Sequence, residues 1–233
     1  MRRIALALSV LLALPLLAGA ARAEGPVVVE LYTSQGCSSC PPADAILTEL
    51  AARDDVIALA LHVDYWDYIG WRDDFANPAF TKRQKRYAKA TGERSIYTPQ
   101  IIVGGRHQIV GAQGMEIAHA IKAAMKAPQP VAVRLSRSDN GLTVHVTAGR
   151  ETPAGSILYL VTYAPEAVRE IERGENAGRR IVYSNIVLSW DEIGTVAPGE
   201  TADFTAVAPS AGEVAALVQA PGPGAILGAA RLD

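Results

Sequence analysis

Glu30-Leu31-Tyr32-Thr33-Ser34-Gln35-Gly36-Cys37-Ser38-Ser39-Cys40-Pro41-Pro42-Ala43-Asp44 contains both cysteines of the 233-residue chain. Its surroundings decide the fold. Val27, Val28, Val29, Leu31 and Tyr32 form an apolar run broken only by Glu30, as in a strand covered on both faces. Thr33 to Gly36 reads as a loop. A helix is predicted from Cys37 or Ser38 through Leu50, with Pro41 and Pro42 in its first turn and Ala43, Ile46, Leu47 and Leu50 recurring at helical spacing. A thiol at a helix N-terminus faces the positive end of the backbone dipole, which favours thiolate over thiol. A second thiol one turn later can close a small ring, the geometry of a reversible disulfide.

Working outward, residues 56–63 (Val-Ile-Ala-Leu-Ala-Leu-His-Val) predict a second buried strand. The aromatic segment Tyr65-Trp66-Asp67-Tyr68-Ile69-Gly70-Trp71 follows, and then a helix over 78–90 that stops at Thr91-Gly92. Residues 100–103 and 108–110 flank Gly104-Gly105 and predict a hairpin. Met115, Ala118, Ile121 and Met125 mark a last helix. The order is β-α-β-α-β-β-α.

With the Cys-x-x-Cys between the first strand and helix, and Ile96-Tyr97-Thr98-Pro99-Gln100-Ile101 before the third strand, this region resembles the thioredoxin-like superfamily. The resemblance covers about residues 27–125. It implies a cis bond before Pro99, a place for Pro99 against the cysteines, and a backbone at Thr98-Pro99 on which a substrate polypeptide pairs as an added strand. More narrowly, residues 30–44, together with His62-Val63-Asp64-Tyr65-Trp66 and the C-terminal region, resemble an exported bacterial family described as a domain of unknown function. Two features depart from a typical thioredoxin. Gly36 stands where a tryptophan precedes the first cysteine, and Ser38-Ser39 replaces Gly-Pro. Both bear on the redox potential.

Residues 1–23 read as a signal peptide: Arg2 and Arg3, an apolar stretch over 4–17, and Ala21-Arg22-Ala23 before the cut. Cleavage leaves 210 residues and removes three of the 22 Lys+Arg, so the net charge becomes −5 against 24 Asp+Glu. That excludes a general nucleic-acid binder. The expected location is periplasmic or secreted, soluble after cleavage, where a disulfide persists.

The texture changes at Ala127-Pro128-Gln129-Pro130. Residues 24–127 are expected to form the thioredoxin-like domain and 128–233 an all-β, sandwich-like domain. Within the latter, Gly174-Glu175-Asn176-Ala177-Gly178-Arg179 reads as a turn between a helix at 166–173 and a strand from Arg180. A loop folded over the thiols is the alternative.

The sequence therefore predicts a thiol-disulfide oxidoreductase acting on protein, peptide or small-molecule thiols and disulfides, with no cofactor and no metal. Cys37 attacks and Cys40 resolves the mixed disulfide. Glu30, a carboxylate in an apolar strand, is the candidate acceptor of the Cys40 proton. Thr98 and Pro99, with Asp64 and Trp66 near the carboxyl end of the second strand, are the candidate substrate-binding residues. A reducing role needs a membrane electron donor. The rival is a periplasmic binding module whose cysteines form a structural bridge or hold copper(I). His62, His107, His119 and His145 are the only imidazoles, and their spacing suggests no ligand pairing. Lys82, Lys85, Arg86 and Lys89 read as a solvated basic stripe.

Overall fold

The computed structural model describes residues 25–232, so the expected signal peptide lies outside the described residues. Strand β1 (Val27–Thr33) and strand β2 (Val56–His62) are buried at every position, as continuous apolar runs require. They pair in parallel, Val27 opposite Val56 through Thr33 opposite His62. Parallel neighbours need a crossover, and helix α1 (Pro41–Ala51) supplies it. On the other side of β1, strand β3 (Gln100–Val103) runs antiparallel and forms a hairpin with β4 (His107–Val110).

Alternation along β1 sorts its side chains. Val27, Val29 and Leu31 face α1 and helix α3 (Gly114–Lys126), packing on Leu47, Leu50, Ile117 and Ile121. Val28 and Tyr32 face helix α2 (Pro78–Thr91), packing near Phe80 and Tyr87. Asn77 caps α2 by accepting a hydrogen bond from the Ala79 amide, and Gly92, in the left-handed region, ends it. The basic stripe of α2 is exposed as read, while Phe80, Gln84, Tyr87 and Ala88 are buried.

The second half does not stand apart as a sandwich of its own. Strands β7 (Ser156–Glu170), β8 (Arg180–Val196), β10 (Glu213–Gln219) and β11 (Ile226–Arg231) continue the same sheet. The order across eight strands is β11-β10-β7-β8-β2-β1-β3-β4. Strand β8 meets β2 in parallel at Ala60 and Ile186. Next to this joint Asn185 takes a positive φ of 51° and its amide donates to the Ala58 carbonyl at 2.9 Å. The core follows the sheet: Ile57, Leu59 and Leu61 share one cluster with Val161, Tyr163, Val187, Leu217 and Ala229. A separate three-stranded sheet of β5 (Val131–Ser138), β6 (Gly141–Ala148) and β9 (Thr201–Ala206) covers the far end. The molecule is thus a mixed α/β protein with one large sheet and few helices.

A second correction falls on residues 166–173. These were expected to be helical, but 166–170 are the end of β7, paired with residues 180–184 of β8. Ala, Glu and Arg favour a helix only weakly, and pairing along a long hairpin overrides that preference.

Candidate functional site

Cys37 and Cys40 form a disulfide with 5.4 Å between their Cα atoms. Helix α1 begins at Pro41, later than expected, with Cys40 as its N-cap. Pro41 and Pro42 carry no amide N–H, so the first donors of the helix are Ala43 and Asp44, both bonded to the Cys40 carbonyl. The turn before it is closed by the Cys40 amide donating to the Cys37 carbonyl. Ser39 Oγ lies 3.4 Å from Cys37 Sγ. Ser38 and Ser39 are exposed, but Cys37 is 1% exposed and Cys40 0%. Cys37, the expected nucleophile, is therefore buried in the disulfide form.

A segment far away in sequence packs against the cysteine loop. Residues 171–179 join β7 to β8 and bring Asn176 onto the cysteine loop. Its Nδ2 donates to the carbonyls of Gln35 and Cys37, each at 2.9 Å. Glu175 Oε2 accepts from the Ser38 amide at 3.4 Å. This glycine-flanked segment is a turn leading into the strand from Arg180, as read, and it also packs against the backbone of the cysteine loop.

The aromatic segment builds another wall. A Cβ placed on Gly36 would lie 3.3 Å from both Trp66 Cβ and Ile69 Cδ1, so a larger residue here is crowded. Trp66 Nε1 donates to Thr98 Oγ1 at 2.7 Å, and the Thr98-Pro99 peptide bond is cis. Trp71 Nε1 donates to Gln35 Oε1 at 2.7 Å. Trp66 thus links the cysteine loop to Thr98-Pro99. Asp64 is held by α2 instead, accepting from Thr81 Oγ1 at 2.5 Å.

Glu30 is placed differently from the expectation. Its side chain is on the α2 face of β1, away from α1. Arg83 donates to it from Nε at 2.7 Å and from Nη2 at 3.0 Å, Tyr87 Oη at 2.6 Å and Tyr32 Oη at 3.1 Å. Glu30 is fully buried and Arg83 almost so, with the guanidinium 3.7 Å from the Trp190 ring centroid. Both carboxylate oxygens are committed, and the residue anchors a buried ion pair on the face opposite α1.

A different carboxyl group sits on the cysteine side. Asp44, in the first turn of α1, is 3% exposed, and neither of its oxygens has a hydrogen-bond partner. Burial raises its pKa to about 7, with Asp73 adding to the rise and His62 and Thr33 opposing it. His62, fully buried at the end of β2, bonds Asp73 Oδ2 through Nδ1 at 2.7 Å, while its Nε2 is unpartnered. Burial raises the Asp73 pKa less than His62 and the Gln35 and Phe75 amides lower it, so the net direction is down. Tyr183 of β8 stacks edge-on against His62 at 5.0 Å. Its hydroxyl is buried without a partner, and burial with the nearby Asp44, Asp73 and Asp74 raises its pKa. Thr33, Asp44, His62, Asp73 and Tyr183 form one buried polar cluster behind the disulfide. Asp44 falls on the helix stripe of Ala43, Leu47 and Leu50, so its burial could have been read from periodicity. Among the described residues no group of three or more His, Cys, Asp or Glu is arranged to hold a metal ion, and no helix is long and apolar enough to cross a membrane.

The architecture and site define a mixed α/β protein with a Cys-x-x-Cys disulfide at the edge of a helix. Residues 28–219 match the family described as "Protein of unknown function (DUF1223)", and the chain belongs to that family. It is similar to the crystal structure of protein AGR_C_4864 from Agrobacterium tumefaciens, with 31% identity, a TM-score of 0.78, and coverage of 92% of this chain and 96% of that one. It also shares its fold with HBP35 of Porphyromonas gingivalis at 16% identity, a TM-score of 0.58, and coverage of 90% and 75%. No curated protein matches the sequence.

Proposed function

We propose that this chain is an exported thiol-disulfide oxidoreductase whose thioredoxin-like part, residues 24–127, carries the chemistry. The observation that carries the reading is the conjunction of a Cys37–Cys40 disulfide at the head of α1 with a cis Thr98-Pro99 linked to it through Trp66. The strand order β2-β1-β3-β4, with α1 and α3 on one face and α2 on the other, supports it. The signal-like residues 1–23 support export.

In the reducing direction the Cys37 thiolate attacks one sulfur of a substrate disulfide. A mixed disulfide forms and the first substrate thiolate leaves. Cys40 loses its proton and attacks Cys37 Sγ, which expels the second substrate thiolate and closes the Cys37–Cys40 bond. Two electrons pass to the substrate; the reverse sequence oxidises a dithiol. Ser39 Oγ is placed to donate to the Cys37 sulfur. Asp44, one turn beyond Cys40 and with a pKa of about 7, is the acid-base group that suits the Cys40 proton. Thr98-Pro99 and Trp66 hold the substrate backbone.

A second reading, a permanent structural bridge, draws on the burial of both sulfurs. Titration of the purified chain 24–233 against glutathione buffers separates the two. A reversible transition between about −270 and −120 mV supports catalysis, and a bridge that resists reduction below about −300 mV overturns it.

A further inference from the structure

We propose that Asn176 is a specificity-determining latch, which holds the tip of the β7–β8 hairpin over the disulfide and so decides which reagents reach the sulfurs. This inference rests on the thiol-disulfide reading above. Strands β7 and β8 are 15 and 17 residues long, well beyond the 7 of β1 and β2, and their connection ends on the cysteine loop. From 172 to 180 every residue is exposed except Asn176, which is 1% exposed. One side chain therefore plugs the tip into the body.

The plug is specific. Asn176 uses both amide hydrogens, on the carbonyls of Gln35 and Cys37. Its own Oδ1 is buried with no partner, so seating the side chain leaves one acceptor unsatisfied. Such a contact is finely balanced and suited to opening. The tip is pre-shaped for it. Gly174 and Gly178 take φ of 77° and 79°, and the Gly178 amide returns to the Ile171 carbonyl at 2.7 Å. Below the tip, Ile171 is buried and Arg169 pairs with Asp74, so the hairpin stem stays fixed. Opening needs only the loss of the Asn176 bonds, the long Glu175–Ser38 contact and the packing of Gly174 on Trp71.

With the tip seated, a folded partner cannot bring its sulfur to Cys37. A small thiol or phosphine needs a smaller excursion. The latch thus sets a size-dependent rate and filters substrates by their capacity to displace the tip.

The test compares two reductants of very different size and equal driving force: tris(2-carboxyethyl)phosphine, and the same phosphine tethered to a large polyethylene glycol. Loss of the Cys37–Cys40 disulfide is followed by alkylation and mass. Both reagents reduce essentially any disulfide, so the outcome is independent of the potential on which the functional reading stands or falls. In the wild-type chain the tethered phosphine reacts far more slowly. Asn176→Ala, which removes two hydrogen bonds, raises its rate roughly tenfold or more and narrows the gap between the reagents. Asn176→Asp keeps the shape but donates no hydrogen bond and gives the same narrowing. An unchanged ratio in these variants overturns the latch. Should both variants lose their circular dichroism, the wild-type comparison decides, and parity between free and tethered phosphine overturns it.

Discussion

Replacing Asp44 with Asn tests the buried cluster behind the disulfide. In the folded protein burial holds the Asp44 carboxyl neutral up to about pH 7, whereas its ordinary pKa is 3.8. Below pH 3.8 the group is protonated in both folded and unfolded chains. Between pH 3.8 and 7 only the unfolded chain releases the proton, so folding must take one up and stability falls as pH rises. The fall is 1.36 kcal/mol per pH unit and totals about 4 kcal/mol, complete above pH 7. Asn cannot ionise and escapes that loss. A buried amide without partners costs about 1–3 kcal/mol at every pH. The Asp44→Asn chain should therefore be less stable than wild type at pH 4 by about 1–3 kcal/mol and more stable at pH 8 by about 1–3 kcal/mol. Urea denaturation of the oxidised proteins at half-unit intervals from pH 4 to 9 measures this. The difference between the two curves cancels the titration of groups remote from Asp44. Parallel curves would refute the argument, because they would mean that Asp44 ionises as easily folded as unfolded.

Glu30→Gln and Arg83→Met should each cost about 3–5 kcal/mol in urea denaturation, because each leaves a buried charge without its partner. Glu30→Gln should leave the pH dependence of disulfide exchange unchanged, and a shifted profile would restore Glu30 to the proton path. Gly228→Ala should destabilise the fold by about 3 kcal/mol or more, since the new Cβ would clash with the Val131 carbonyl oxygen where β11 passes β5. A chain ending at residue 127 should fail to fold cooperatively and should bind a hydrophobic dye, because it strips Val161, Tyr163, Val187 and Leu217 from the core around Ile57 and Leu59.

The N-terminal elements were legible because their signals are local. Two apolar runs too short for helices gave β1 and β2, helical spacing gave α1 although its start was placed three or four residues early, and Thr98-Pro99 marked the strand beyond. The union of the two halves left no such trace. It rests on a pairing of Ala60 with Ile186 across 126 positions, and strand propensity does not name a partner. Glu30 was visible as an odd charge in an apolar strand, but its partner was hidden. Arg83 stands among Lys82, Lys85 and Arg86, and composition does not tell which cation of a basic helix turns inward. Asn176 was singled out only as part of a polar turn, since its role is defined by carbonyls 139 and 141 residues away.

That separation has a consequence for the order in which the protein is made. At about 5–20 residues per second, a ribosome finishes Asn176 roughly 7–30 s after Cys37. Throughout that interval the bonds from Asn176 to the Gln35 and Cys37 carbonyls cannot form. In the folded chain Cys37 and Cys40 are each less than 2% exposed. The cysteine loop is thus completed by a contact that only the later-made half of the chain can supply, Asn176 on the Gln35 and Cys37 carbonyls.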